Sequence, residues 1–180
     1  ACAALRGAVD RERRAARDTV DGAPDHQLNL SVAELLRLVG EEAAKAVWGL
    51  AADFSARRRA LLRQRRQQGA PQPGEPELPP GALDLDDEGV EIFVRRYSAE
   101  TRPWIPFHCD TSALTVNVAL GDDAAHTGGH LAALVGGKVR LIARGEGDAT
   151  VHPSTLLHGV TATRQGVRYS LILFFGRGAA

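Results

Sequence analysis

The chain has 180 residues, 22 basic and 22 acidic side chains, 44% hydrophobic residues and no Met. That length and apolar fraction suit one folded unit of ordinary size and exclude wholesale disorder. A net charge of zero excludes a bulk nucleic-acid binder, which needs a basic excess to displace counterions. No apolar run approaches the roughly 18–20 residues that span a bilayer. Arg6 and the charged run from Asp10 to Arg14 interrupt any secretory leader near residue 1. The absent Met sets the expectation of a processed form or an excised domain, so the compartment, cytoplasm or secretory lumen, is left unassigned. Cys2 and Cys109 are expected to be free thiols, because two cysteines build no disulfide framework.

Residues 1–68 read as a helical support region. Ser31 and Glu34 form a capping box, followed by Leu35, Leu36, Val39, Ala43, Ala46, Val47 and Leu50 at helical spacing. A second, basic helix is expected over 55–68, with Arg57, Arg58, Arg59, Arg63, Arg65 and Arg66. That cluster is either a solvated helix face or a docking patch for an acidic partner. Residues 69–89 carry five prolines and the acidic group Asp84, Asp86, Asp87 and Glu88, the composition of a linker or long loop. From residue 90 the period changes to short strand-like runs at 90–97, 112–120, 138–144, 155–160 and 167–175, separated by Gly, Asp or Asn. Such spacing indicates a sandwich or barrel over 90–180, making the whole chain α+β and mainly β.

The chemistry-bearing residues lie in this last part. His108 and Asp110 stand two apart just before a strand, so in extended chain both side chains reach the same side. His158 ends a short apolar run at a Gly, and ten residues later Arg168 precedes Ser170 inside the last apolar strand. Two imidazoles and one carboxylate with three open positions make the facial triad of non-haem Fe(II) oxygenases. An arginine amid Val167, Leu171, Ile172, Leu173 and Phe174 is costly to bury unless an anion pairs with it. Its planar fork matches a carboxylate, and Ser170 shares its strand face. The bland alternatives are a surface His beside a loop Asp, and an arginine reaching out from an edge strand. His152, six residues before His158, is the rival third ligand. His130 follows a Gly-Gly turn and reads as exposed, and His126 and His26 read as surface residues. Trp104, between Pro103 and Pro106, suits either substrate contact or loop packing.

His108-x-Asp110, Gly128-Gly129-His130-Leu131, His158 and Arg168-Tyr169-Ser170 together resemble the catalytic domain of the Fe(II)/2-oxoglutarate dioxygenases. The prolyl 4-hydroxylase and collagen lysyl hydroxylase branch is the most similar. Phe93-Val94-Arg95-Arg96-Tyr97 resembles that branch's strand ending in Arg-Tyr, and Pro106-Phe107-His108-Cys109-Asp110 its Pro-x-His-x-Asp. Residues 114–120, Leu-Thr-Val-Asn-Val-Ala-Leu, are similar to the lysyl hydroxylase strand after the Asp. The resemblance covers about half of the chain.

It implies a double-stranded β-helix, a cupin-like jelly roll with flanking N-terminal helices. It further implies Fe(II) on His108, Asp110 and His158, and 2-oxoglutarate with its far carboxylate on Arg168. Tyr97 and Ser170 match positions that support 2-oxoglutarate. Thr115 and Asn117 would line the same pocket if Leu114, Val116 and Val118 pack outward. The reaction implied is hydroxylation of a C–H bond by O2, with release of succinate and CO2 and with ascorbate as reductant. Asp110 stands where related halogenases carry a small residue, so the resemblance favours hydroxylation. The substrate expected is a prolyl or lysyl residue of a protein or peptide. A free amino acid or other small molecule is the alternative, and a non-catalytic cupin-like metal-binding or sensor module is a third reading.

Overall fold

A computed structural model of the chain describes residues 1–12, 16–69 and 89–176. The expected Pro-rich linker therefore falls almost entirely outside the described residues. Helix α1 (Cys2–Asp10) precedes three short strands, β1 (Ala16–Arg17), β2 (Pro24–Asp25) and β3 (Gln27–Leu30), and then α2 (Val32–Val39) and α3 (Glu41–Gln67). Strands β4 (Val90–Ser98), β5 (Ile105–His108), β6 (Leu114–Ala119), β7 (Thr127–Gly128), β8 (Leu131–Val135) and β9 (Lys138–Ile142) follow. The chain ends with β10 (Ala149–Pro153), β11 (His158–Val160), β12 (Thr163–Gln165) and β13 (Val167–Phe175). No described helix is long and apolar enough to cross a membrane.

Ser31 caps α2 as its sequence predicts, with its hydroxyl accepting from the Glu34 amide and the Glu34 carboxylate accepting from the Ser31 amide. The single apolar face expected over 35–50 is interrupted. Gly40, at φ 83°, ends α2 and starts α3, a conformation that a side chain would disfavour. The second helix expected from Ser55 does not exist as a separate element, because α3 runs unbroken through that position. Ser55 is buried on the seam Ala44, Trp48, Ala51 and Ser55, and its hydroxyl accepts from Arg59. Arg57, Arg59, Arg63, Arg65 and Arg66 are exposed.

The N-terminal part is more than helical support. Strand β3 adds to the edge of a five-stranded antiparallel sheet of order β10-β6-β13-β4-β3. A second antiparallel sheet has the order β5-β11-β8-β9, and β1-β2 and β12-β7 are two-stranded ribbons. The architecture is mixed α+β, mostly strands, a jelly roll with N-terminal helices.

Strand parity divides the large sheet. Ile92 and Val94 of β4, Leu114, Val116 and Val118 of β6, and Leu171, Leu173 and Phe175 of β13 join Leu5, Val9, Leu35 and Trp48 from the helices in one apolar core. The alternate residues Phe93, Tyr97, Thr115, Asn117, Ile172 and Phe174 face the small sheet across a cleft. Trp48 meets Phe175 edge-to-face, with centroids 5.5 Å apart, and so fastens α3 to the centre of the sheet. Replacing Trp48 with Ala is expected to cost about 3–5 kcal/mol of unfolding free energy, read from urea denaturation of the variant and the parent.

Candidate active site

His108 closes β5 and lies directly opposite His158 at the start of β11. The two strands approach closely at Gly159. A Cβ there would stand 2.9 Å from the Ile105 carbonyl oxygen, closer than real Cβ atoms approach, and 3.0 Å from that of Pro106. Asp110 follows His108 by two residues, its amide donating to the Ser154 carbonyl at 3.1 Å. Its Oδ1 is 3.4 Å from His108 Nε2 and 3.7 Å from His158 Nε2. The ligand atoms of His108, Asp110 and His158 all lie within 4.8 Å of one another.

Each imidazole is held through its other nitrogen. His108 Nδ1 is 2.8 Å from the Pro106 carbonyl, and His158 Nδ1 is 3.0 Å from that of Leu156. A carbonyl only accepts, so Nδ1 carries the proton and the Nε2 lone pair faces the cluster. The outer oxygen of Asp110 is fixed as well. Oδ2 accepts from the Thr115 hydroxyl at 2.5 Å, and that hydroxyl lies 3.1 Å from Ser112. Cys109 points away, with Sγ 3.5 Å from the Thr155 carbonyl, and both cysteines are free. Two neutral nitrogens and one carboxylate oxygen, with no thiolate, are a donor set that Fe(II) takes readily.

Burial and neighbours tune the three groups in opposite directions. Burial raises the Asp110 carboxyl, but the His108 hydrogen bond, the His158 charge and the Thr115 hydroxyl bring it below its ordinary value. Burial lowers His108, yet Asp110 and the Pro106 carbonyl leave it raised overall. Burial dominates at His158 and pushes it down to about 4, and it lowers His152 too.

Strands β4, β6 and β13 bring Tyr97, Asn117, Arg168 and Ser170 to one face of the large sheet. Arg168 is 2% exposed, and none of Nε, Nη1 and Nη2 has a hydrogen-bond partner. Its guanidinium lies over the buried Tyr97 ring, 4.8 Å from the centroid. The buried Ser170 hydroxyl on the same strand face is also unpartnered. A buried cation without an acceptor is expensive unless an anion completes it, so these residues fit a carboxylate-bearing co-substrate.

Other residues sit differently from their sequence expectation. His126 is not a surface residue: its side chain is buried, with Nδ1 2.7 Å from the Gly128 carbonyl and Nε2 3.6 Å from Asp123. His26 is half-buried, 2.9 Å from the Val9 carbonyl. His130 is 3.7 Å from Asp123. His152 lies beside the triad, its Nε2 4.0 Å from Asp110 Oδ2 and its ring 4.6 Å from that of His158. It does not complete the three-residue cluster. Sequence reasoning missed Arg144, which is 5% exposed and donates through Nη1 to Asn117 at 2.8 Å. Its setting, Ala-Arg-Gly-Glu-Gly, has the composition of a surface loop and carries no signal of burial.

Among solved structures, a Pseudomonas putida prolyl-4-hydroxylase matches 98% of this chain and 84% of its own, at 19% identity and a TM-score of 0.55. The chain shares the fold of a prolyl 4-hydroxylase. An oxidoreductase of the 2OG-Fe(II) oxygenase family from Burkholderia pseudomallei matches 49% of this chain at 23% identity and a TM-score of 0.42. A prolyl 4-hydroxylase from Phytophthora capsici matches 52% at 15% identity and a TM-score of 0.42. This chain spans 44% of the Burkholderia chain and 34% of the Phytophthora chain. No protein-family model and no curated protein matches it. The prolyl 4-hydroxylase-like fold thus carries a candidate facial triad in its cleft.

Two outcomes follow from this geometry. Gly159→Ala should force β5 from β11, separate His108 from His158 and weaken Mn(II) binding about tenfold or more, measured by calorimetry. In the metal-free protein, stability should fall on acidification from about pH 6.5 to about pH 4. His158 and His152 have depressed folded values, so the unfolded chain binds their protons first as the pH drops. His108, raised in the fold, opposes this with a proton that adds stability below its unfolded value. Two depressed imidazoles outweigh one raised, and His158→Gln should flatten the slope in urea titrations at stepped pH.

Proposed function

We propose that this chain is an Fe(II)- and 2-oxoglutarate-dependent dioxygenase that hydroxylates a C–H bond of a prolyl or lysyl residue in a protein or peptide. The observation that carries the reading is the pairing of the triad with a fully buried, unpartnered Arg168 on the inner face of the neighbouring sheet. A metal-binding module without turnover has no use for such a cation.

In this reading His108, Asp110 and His158 hold the metal, and Thr115 keeps Asp110 oriented so that one oxygen faces it. Arg168 and Ser170 receive the far carboxylate of 2-oxoglutarate, with Tyr97 packed under the guanidinium. Bound iron supplies the activation of O2 that turns 2-oxoglutarate into succinate and CO2 and delivers one oxygen atom to the substrate. Ile105, Leu131, Val160, Ile172 and Phe174 line the space beside the triad and exclude water from it.

A larger cleft of ≈ 270 Å³ opens beside His108 and Asp110, between β4 and the loop after β1. Trp104 and Phe107 are 47% and 42% exposed at or just before β5, the edge strand of the small sheet. An open cleft next to an unpaired strand edge with exposed aromatic residues suits an extended peptide. The polar lining of the same cleft, Arg17, Asp18, Glu91 and Arg95, favours the second reading, a free amino acid or other small zwitterion.

Purified protein with Fe(II) and ascorbate should release succinate from 2-oxoglutarate slowly without added substrate. His108→Ala and Asp110→Ala should abolish it, and Arg168→Ala should raise the KM for 2-oxoglutarate by about 100-fold. Unchanged turnover in these variants would overturn the site. Mass spectrometry for the gain of one oxygen atom on proline- and lysine-containing peptides, against free amino acids, separates the two substrate classes.

A further inference from the structure

Arg168 is not the only buried arginine with unpartnered guanidinium nitrogens. Arg144 follows β9, and its backbone is tied twice to Asp123: its amide donates to the Asp123 carboxylate at 3.1 Å, and its carbonyl accepts from the Asp123 amide at 3.0 Å. This double tie fixes the start of the side chain. At the other end Nη1 donates to Asn117 Oδ1 at 2.8 Å, while Nε and Nη2 have no acceptor. Among the described residues no carboxylate forms a salt bridge with either Arg144 or Arg168.

Asn117 connects Arg144 to the cleft. It lies on the inner face of β6, two residues from Thr115, and lines the space shared with Asp110 and His158. With its oxygen engaged by Arg144, its amide nitrogen is the group left to donate toward the cleft. Burial and then the charge of Arg168 push Arg144 down to about 10, so the two cations feel each other, yet Arg144 stays protonated at neutral pH. The Asp123 carboxylate offsets part of this paired positive charge, but five guanidinium nitrogens are left without an acceptor, a setting that a bound anion would complete.

We propose that Arg144 is a second anchor for the far carboxylate of the 2-oxo acid, so that the cleft ends in a two-guanidinium cradle selective for a dicarboxylate. The proposal rests on the function proposed above and deepens it. One guanidinium on β13 and one after β9 approach the carboxylate from different elements. The cradle therefore rejects a 2-oxo acid whose far end is a methyl group more strongly than Arg168 alone would, because both forks are then left unpaired.

The test is binding without turnover, with Mn(II) in place of iron and titration calorimetry as the readout. The probes are 2-oxoglutarate and 2-oxopentanoate, which keeps the chain length and the metal-chelating end but lacks the far carboxylate. Arg144→Met should raise the Kd for 2-oxoglutarate by about 10- to 100-fold and change that for 2-oxopentanoate by less than about twofold. Mn(II) affinity should not change. Arg144→Lys keeps the charge in a smaller change of shape, so it serves if the Met variant does not fold, and should lose less than about tenfold. Equal losses for both probes would make Arg144 a structural residue and overturn the proposal, as would an unchanged Kd for 2-oxoglutarate. Failure of the broader reading looks different: the parent protein would not bind 2-oxoglutarate, or Arg168→Met would leave its affinity intact.

Discussion

The two-residue period of β4, β6 and β13 governs where charge is buried in this molecule. On one face of these strands sit Ile92, Val94, Val116, Val118, Leu171, Leu173 and Phe175, sealed by three helices. That face supplies the larger of the two hydrophobic clusters. The opposite face packs Phe93, Ile172 and Phe174 and also carries Arg95, Tyr97, Thr115, Asn117, Arg168 and Ser170, most of them buried. A one-residue slip of β13 against β4 would exchange the two sets and put a guanidinium among leucines. Nine paired positions between these strands hold the register against that.

A second constraint acts across the cleft. The triad depends on two strands of the small sheet meeting at Gly159, whereas Thr115, which orients Asp110, belongs to the large one. The site is therefore a joint between sheets, and the segment bearing β1 and β2 braces its outer side. Arg95 bridges Asp18 at 2.8 Å and Asp25 at 2.9 Å, and Arg102 reaches Asp18 at 3.3 Å and Asp21 at 3.0 Å. Buried pairs of this kind add little net stability, but loss of one partner strands the other, so they specify geometry. Here they fix one wall of the larger cleft relative to His108 and Asp110.

These constraints explain what the sequence could disclose. His-x-Asp and Arg-x-Ser are local patterns whose two residues share a strand face, so spacing alone brought His108 to Asp110 and Arg168 to Ser170. The limits of β13, 167–175, were legible because apolar residues ran from one turn to the end of the strand. The break expected before Ser55 does not form, because burial on the Trp48 seam carries α3 straight through it. The short strands β1, β2 and β3 have no period to read, since each is stabilised by its partner strand or by Arg95. Burial of Arg144 and His126 depends on contacts made across 20 or more residues, or on chain folded over a glycine turn, which no local composition records.

The inner face also bears on stability. Unpartnered donors on Arg168, Arg144 and Ser170 each cost the desolvation of a polar group, about 1–3 kcal/mol for a neutral one and more for a cation. A chain of this size has only about 5–15 kcal/mol of net stability, so those costs are a large fraction of the total. They are tolerated because the apolar face of the same sheet is so completely covered. A ligand that satisfies these donors binds the native state alone and stabilises it in proportion to the logarithm of its concentration over its Kd. The inner face of β13 is thus where the fold gives up stability, and its helical face is what makes that concession survivable.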